Sequence, residues 1–466
     1  MKAIKYLLIG AMLLGSQIST YAQSYESQLG AITTALKANP NDPKAAQDLV
    51  KAYLKTYKKD PEALVALGNS YLTIKNYAKA IEYADMAIKR NKNFGDAYVL
   101  KGDVEALKDD GGQAAAWYQQ AMTMDPKNPH GYTSYANVYR KRDPKLVQET
   151  MNQLKLQVPD YPVEAETAHA FFTAGNLTRA YENFTKADVN KLENRMLYEY
   201  AQTAYYLDKK EEALELAKKG MQKFAGNTYE SYFTRYALYS AVDAKKMDEA
   251  ANYSQKLQNS DQELNTLDYM YIGQVLASQN QYEEAIAKYE KSLSMDDKTV
   301  RNYQYLSEAY NALGNEDKAL EFSEKYLNVD NNAKPSDFVK LANIYLGKSD
   351  KEDKEGNFQK AMGIYDKLIA KYPTTSSWSH LQQANAGLSK DFLDYAESKY
   401  RQVIEELENK EGRDANETGY LKEAYRLLGI HLWSNKDNYD AAKPFFEKLL
   451  QLDPENSAAK QALGIQ

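Results

Sequence analysis

The sequence contains no cysteine, which excludes disulfide bonds, thiol nucleophiles and cysteine-ligated metals. Only four histidines occur in 466 residues, and glycine (22) and proline (12) are too scarce for a fibrous or disordered chain. Basic residues are not in excess either, because 59 Lys and Arg face 65 Asp and Glu and the formal net charge is −6. The chain therefore lacks the basic character that nucleic acids and anionic membrane surfaces require of a partner.

Long apolar runs are also absent, apart from one short run near the start. Two lysines precede this leucine-rich run, and Thr20 and Ala22 supply small residues at the recognition positions of a cleavage site. We expect residues 1–22 to be a secretory signal peptide that is cut before Gln23. The alternative, an uncleaved membrane anchor, is disfavoured because a membrane span needs about 20 apolar residues.

An internal period of about 34 residues, marked by alanine, runs through the rest of the chain. Ten alanines hold this register, namely Ala80, Ala114, Ala180, Ala213, Ala250, Ala285, Ala319, Ala361, Ala396 and Ala442. One unit has lost its alanine and is expected to carry Gln148 in its place. A fixed period of this length is typical of a solenoid, in which each unit buries its apolar face only by stacking on its neighbours.

Each unit reads as two helices joined by a short turn. In residues 62–91, apolar residues recur at i, i+3, i+4 and i+7, the spacing of an amphipathic helix. The first helix carries Gly68 and Tyr71 on its apolar face, and the second carries Ala80. We expect Gly68 to face Ala80, because two helices approach closely only where side chains are small.

This pattern resembles the tetratricopeptide (TPR) repeat over nearly all of the chain that follows the expected signal peptide. The family's small residue of the first helix recurs as Gly102, Ala136, Ala168, Ala201, Gly273, Ser307, Ala342, Ala384 and Gly429. Its large residue of the second helix recurs as Tyr118, Phe184, Tyr289, Tyr365, Tyr400 and Phe446. The resemblance implies an all-α fold, a right-handed α-solenoid of about eleven helix pairs. Leu238 departs from the pattern, because a small residue is expected there.

The domain plan follows from this register. Residues 23–60 are expected to form degenerate capping helices, 61–456 the solenoid, and 457–466 a C-terminal capping helix. Extra loops are expected near 349–356 and 408–419, where the alanine spacing lengthens.

No residue set for catalysis stands out. The four histidines fall in different units without metal-ligand spacing, and most carboxylates alternate with lysines as on a solvated helix face. We therefore expect no enzyme, no metal and no cofactor. The family's carboxylate clamp is not supported, because Val65 replaces its basic residue in the first clear unit.

Tyrosine is the one unusual enrichment, with 40 residues. Much of it fits the wedge positions of the repeat, but residues 198–239 are crowded with it. The resemblance implies that one set of side chains here faces the family's concave groove: Tyr198, Gln202, Tyr205, Tyr232, Arg235 and Tyr239. Tyrosine and arginine are enriched in binding hot spots, which makes this set the candidate contact site. Plain packing between units is the competing explanation.

The expected function is a scaffold or adaptor that binds a protein or peptide partner in this groove. Capture of a glycan or peptidoglycan strand is the alternative, because aromatic faces also pack on sugar rings. With a signal peptide, the periplasm or cell envelope of a Gram-negative bacterium is the expected location. The mature chain is not expected to insert into a membrane.

Overall fold

A computed structural model describes residues 22–40, 42–329 and 333–465, and these residues contain helices but no strand. Apart from Ala22, the expected signal peptide lies outside them. The chain divides into two compact units between Gln262 and Glu263. Within each unit, consecutive helices pack as antiparallel neighbours in pairs, which confirms the all-α repeat fold expected from the sequence. None of the described helices is long and apolar enough to cross a membrane.

The first unit contains seven helix pairs in its described part. Its helices are α1 (Ala22–Ala38), α2 (Gln47–Tyr57), α3 (Pro61–Thr73), α4 (Tyr77–Arg90), α5 (Gly95–Leu107), α6 (Gly111–Met124), α7 (Pro129–Tyr139), α8 (Pro144–Gln157), α9 (Val163–Thr173), α10 (Leu177–Phe184), α11 (Asn194–Tyr206), α12 (Lys210–Lys223), α13 (Thr228–Asp243) and α14 (Met247–Gln258). A 3₁₀ turn, Pro43–Ala46, precedes α2. The first helices of successive pairs contact one another from α3 to α13, so they form one continuous first-helix face.

The second unit contains five pairs and a terminal helix in its described part. Its helices are α15 (Thr266–Ser278), α16 (Tyr282–Met295), α17 (Arg301–Ala312), α18 (Glu316–Val329), α19 (Pro335–Lys348), α20 (Lys354–Lys371), α21 (Ser376–Ser389), α22 (Leu393–Leu407), α23 (Ala415–Ile430), α24 (Tyr439–Leu452) and α25 (Ser457–Ala462). A 3₁₀ turn, Pro373–Thr375, precedes α21, and a π-helical turn, His431–Asn435, follows α23. The last helix, α25, packs on α24, and the Tyr439 hydroxyl donates to the Ala462 carbonyl at 3.0 Å.

The turn inside a pair has a recurring design. Its penultimate residue adopts a left-handed conformation, as Lys75 does with φ 59° and Asn280 with φ 62°. The following residue precedes the second helix, and in α4 the Asn76 side chain caps the helix by accepting from the Lys79 amide at 3.1 Å. Asparagine and aspartate are suited to this cap because their short side chains accept from the first unpaired amides of a helix.

The alanine register is confirmed by burial, since all ten alanines are fully buried. In nine units the alanine amide also donates to the carbonyl of the residue preceding the helix, as Ala80 does to Asn76 at 3.1 Å. In α8 it is Val147 whose amide bonds Asp143 in this way, so the sequence-based placement of Gln148 was wrong by one residue. Val147 is fully buried, whereas the Gln148 side chain lies half-exposed and bonds Asn152. An apolar side chain thus occupies this position in all eleven repeats from α3–α4 to α23–α24.

Glycine on a first helix makes room for a ring on the second. A Cβ on Gly102 would stand 2.4 Å from Tyr118 Cε1, and a Cβ on Gly429 would stand 2.9 Å from Phe446 Cε1. Where the first helix carries the large Leu238 instead, Ser254 stands sixteen residues later, at the position of the ring. Both Leu238 and Ser254 are buried, so the exchange of large and small residues preserves the packing.

Both segments of lengthened spacing are shared between a loop and a helix. The first connects α19 and α20, and α20 begins within it at Lys354, where the Asp353 side chain accepts from the Gly356 amide at 3.2 Å. The second connects α22 and α23, and α23 begins within it at Ala415. In each case an aspartate cap starts the helix earlier than the repeat pattern alone predicts.

Candidate binding surface

The candidate site lies in the first unit, on the neighbouring first helices α11 and α13. Five of the predicted side chains are half-buried there, namely Tyr198, Gln202, Tyr205, Tyr232 and Arg235. Tyr239 is different because only 1% of it is exposed. The structure thus brings the predicted residues together, and it places Tyr239 inside the packed protein rather than at its surface.

Tyr236, which was not among the predicted residues, is the centre of the aromatic cluster. Its ring centroid lies 5.4 Å from those of Tyr198 and Tyr205, 5.6 Å from that of Tyr239 and 6.4 Å from that of Tyr206. These contacts are edge-to-face, the arrangement that the charge distribution of aromatic rings favours. We call Tyr198, Tyr205, Tyr206, Tyr232, Tyr236 and Tyr239 the tyrosine platform.

Hydroxyl and amide groups tie the platform together. Gln202 Nε2 donates to the Tyr236 hydroxyl at 2.8 Å, and the Tyr236 and Tyr206 hydroxyls are 3.2 Å apart. Burial raises the pKa of Tyr236, so its hydroxyl keeps its proton and remains a hydrogen-bond partner. Burial also raises the pKa of Tyr198 to about 12, although the positive charge of Arg235 partly opposes this shift.

The outer edge of the platform is Tyr206, the second residue that the sequence-based prediction missed. Its side chain is 53% exposed, although its ring contacts those of Tyr205 and Tyr236. A signal for Tyr236 was present in the sequence, because Tyr232, Tyr236 and Tyr239 recur at i, i+4 and i+7. Tyr206 directly follows the predicted residue Tyr205 and is the last residue of α11. At the end of a helix, the helical spacing no longer assigns neighbouring residues to different faces.

Carboxylates and histidines occupy the same first-helix face on α5, α7, α9 and α11. We call this set the acid–histidine row: Asp96, Asp103, His130, Glu166, His169 and Glu199. His130 Nδ1 lies 2.8 Å from Asp96 Oδ1, and His169 Nδ1 lies 2.8 Å from Glu199 Oε2. Each pair joins neighbouring repeat units, so all four residues help to hold successive first helices together.

Two members of the row carry charges that the protein neutralises poorly. Burial raises the pKa of Asp103 to about 6, and the bond that its carboxylate accepts from the Tyr118 hydroxyl at 2.7 Å offsets this only in part. Burial also raises the pKa of Glu166, and the negative charges of Glu199 and Glu193 add to the shift. In contrast, bonds from His130 and Asn128 outweigh burial and lower the pKa of Asp96.

The histidines do not form a metal centre in the described part of the chain, where no group of three potential ligands comes together. His380 pairs with Glu406 at 3.0 Å, and His431 is buried at the start of the π-helical turn. Val65, at the position of the clamp's basic residue, is buried in the hydrophobic core of the first unit.

Profiles of the tetratricopeptide-repeat family match residues 36–94, 269–299, 338–375 and 423–456. Together with the paired helices and the buried alanine register, these matches identify a helical-repeat protein. The matched segments are tetratricopeptide repeats, and repeats of this kind generally form scaffolds for protein interaction. No curated protein sequence matches the chain.

Several solved structures are similar to parts of this chain. The C-terminal part of a TPR repeat-containing protein from Cytophaga hutchinsonii is 20% identical with a TM-score of 0.45, and covers 57% of this chain and 99% of its own. A tetratricopeptide repeat protein from Parabacteroides merdae is 16% identical with a TM-score of 0.33, covering 53% and 98%. Pseudomonas aeruginosa pilF is 16% identical with a TM-score of 0.32, covering 52% and 94%.

Proposed function

We propose that this protein is a non-enzymatic scaffold of the cell envelope that binds a protein or peptide partner on the first-helix face of its first unit. The tyrosine platform is the proposed contact region, with Gln202 and Arg235 at its margin. The observation that carries the proposal is the exposed ring of Tyr206 beside the buried ring of Tyr236. Such a ring offers contact area that is already held in place before the partner arrives.

Rigid aromatic area supports binding for a physical reason. A tyrosine has few rotatable bonds, so its immobilisation costs little entropy, and its hydroxyl adds a hydrogen bond. Tyr198 and Tyr232 support each other at 5.7 Å between ring centroids, and Tyr229 supports Tyr232 at 6.0 Å. Tyr239 contributes from below, because its buried ring packs against Tyr205 and Tyr236.

A location in the periplasm or envelope of a Gram-negative bacterium is part of the proposal. Its support is the sequence of residues 1–22, with its basic start, short apolar run and small residues before Gln23. The absence of cysteine from the sequence agrees with this location, because no thiol is then exposed to an oxidising compartment.

A glycan or peptidoglycan strand is the second candidate ligand. The observation that favours it is again Tyr206, since a half-exposed ring can pack on a sugar ring while its hydroxyl bonds sugar hydroxyls. A peptide and a glycan would both contact the same residues, so mutation of the platform cannot distinguish the two candidates. Identification of the bound ligand distinguishes them.

The test is a binding titration with the partner captured from envelope extracts and, in parallel, with soluble peptidoglycan fragments. Tyr198→Ala, Tyr206→Ala and Tyr232→Ala are compared with Tyr253→Ala, a half-buried tyrosine on the second helix α14. Loss of a central contact costs about 2 kcal/mol or more, roughly thirtyfold in affinity. Unchanged affinity in folded platform variants would refute the proposed site.

A further inference from the structure

The tyrosine platform and the acid–histidine row share α11, where Tyr198 and Glu199 are consecutive residues. We infer that the partner segment bound here is cationic, with lysine or arginine side chains seated along the acid–histidine row and against the platform rings. The inference rests on the proposed function, since it names the chemistry of the partner at that same surface. Its basis is charge complementarity on a surface whose aromatic part includes the exposed ring of Tyr206.

The row contributes negative charge that the first unit does not cancel. Two of its four carboxylates pair with its histidines, Asp96 with His130 and Glu199 with His169. The other two, Asp103 and Glu166, form no salt bridge among the described residues, and burial raises the pKa of each. Arg195 is the nearest permanent cation to Glu199, and its Nε lies 3.9 Å from Glu199 Oε1. Glu166 also lies within electrostatic reach of His130, which links the two halves of the row. A partner cation would relieve the repulsion among these carboxylates.

The platform fits the same kind of partner. An aromatic ring carries negative charge on its face, and a lysine or arginine above it gains cation–π attraction. The chain uses this contact elsewhere, with Lys209 Nζ 4.5 Å above the Tyr181 ring and Lys318 Nζ 4.8 Å above the Tyr310 ring. Arg235, the cation of the platform, already takes part in an interaction within the chain. Tyr206 keeps exposed ring area for a cation from outside.

The extent of the surface favours an extended protein segment over a small cation. The first helices α5, α7, α9, α11 and α13 are consecutive neighbours, and helices pack about 8–10 Å apart, so the surface is roughly 30–40 Å long. About ten residues of extended chain cover that length. Phosphate groups of a nucleic acid would meet the carboxylates with the same sign of charge, which opposes their binding.

The experiment uses the full mature chain and three fluorescent, proline-rich extended peptides of equal length that differ only at alternate positions. These positions carry lysine, glutamine or glutamate. Fluorescence anisotropy is measured at low and at physiological salt, because screening weakens contacts between exposed charges. The lysine peptide should bind at least about tenfold more tightly than the glutamine peptide, and the glutamate peptide should bind least.

Variants separate the inference from the proposed function. Asp103→Asn and Glu166→Gln should weaken the lysine peptide several-fold and leave the glutamine peptide unchanged, whereas Tyr206→Ala should weaken both. Glu149→Gln on the second helix α8 is the control, because it removes one carboxylate away from the first-helix face. Circular dichroism confirms that each variant is folded.

Two results would overturn the inference. One is equal affinity for the three peptides, with Tyr206→Ala still weakening them, which would leave the platform as a contact site for a partner of another charge. The other is no binding of the lysine peptide at either salt concentration. In that case the titration with the captured partner still decides the proposed function on its own.

Discussion

Gly273 on α15 lies directly against the ring of Tyr289 on α16. A Cβ on Gly273 would stand 2.4 Å from Tyr289 Cε1, closer than carbon atoms approach in folded proteins, and Tyr289 is almost fully buried. The absence of one side chain therefore allows the tyrosine ring to fill the space between the paired helices.

Replacing Gly273 with alanine should destabilise the second unit by about 1–3 kcal/mol, because the buried ring must shift to make room. Helix propensity alone predicts the opposite, since alanine in a helix is favoured over glycine by about 1 kcal/mol. Gly363→Ala in α20 is the matched control, because a Cβ there meets nothing within 4 Å. Urea unfolding should show opposite signs for the two variants, and equal stabilisation of both would contradict the packing described.

Ala285→Leu should also overpack the second unit, at a cost of about 1–3 kcal/mol. Ala285 is fully buried in α16, whereas Ala287 on the same helix is exposed, so Ala287→Leu serves as the control. Because repeat units couple mainly to their neighbours, hydrogen exchange should accelerate first in α15, α16 and α17. An even acceleration along the unit would argue against this coupling.

The fold follows closely from the sequence because its signals are local and repeated. A small residue such as Ala80 recurs once per unit, so an error at one unit, as with Gln148, does not disturb the rest. Positions that depend on distant partners were not predictable. His130 meets Asp96 34 residues away, and Tyr236 becomes a hub only when α11 and α13 pack together.

The folding stability of the first unit should depend on pH, partly through His130, Asp96 and Asp103. A bond to Asp96 raises the pKa of His130, so this stabilisation is complete below the unfolded pKa of about 6.5 and is lost as pH rises through the folded pKa. The pKa of Asp103 is raised to about 6, so Asp103 also favours the folded state when it is protonated. Its contribution to stability therefore also falls as the pH rises. Asp96 acts oppositely, because its lowered pKa stabilises the fold above about pH 4.

We therefore expect the first unit to be most stable near pH 5 and to lose stability towards pH 8. Trp117 reports on this unit, and Trp378→Phe with Trp433→Phe removes the tryptophans of the second unit. His130→Gln should flatten the fluorescence-detected profile between about pH 6 and 8. A profile that stays unchanged in this variant would assign the dependence to other groups.

Export should remove residues 1–22 and leave Gln23 as the first residue of the mature protein. A cut at this point would keep Tyr25, which is part of the buried core of the first unit and whose hydroxyl donates to Glu62 at 3.1 Å. Mass spectrometry of envelope fractions should find a peptide that begins at Gln23. Recovery of intact residues 1–22 in that material would instead favour a membrane-anchored protein.

The platform tyrosines should separate into buried ones that stabilise the fold, such as Tyr239, and exposed ones that bind, such as Tyr206. Tyr239 is almost fully buried among neighbouring side chains. Tyr239→Ala should therefore cost about 3–5 kcal/mol of folding stability, as for other buried aromatic residues. Tyr206 is half-exposed, so Tyr206→Ala should cost less than about 1 kcal/mol, as for surface substitutions in general. Chemical unfolding of both variants measures this difference directly.

Partner affinity should then show the reverse order once the folded fraction is taken into account. Tyr206→Ala should weaken binding although the protein is almost as stable as before, whereas Tyr239→Phe, which keeps the buried ring, should leave affinity close to that of the unmodified protein. Tyr289→Phe in the second unit should change neither quantity by much, because its ring remains in place against Gly273. If Tyr239→Phe abolished binding in a stable protein while Tyr206→Ala did not, the hydroxyl of the buried residue would be the contact, and the bound surface would have to open to reach it.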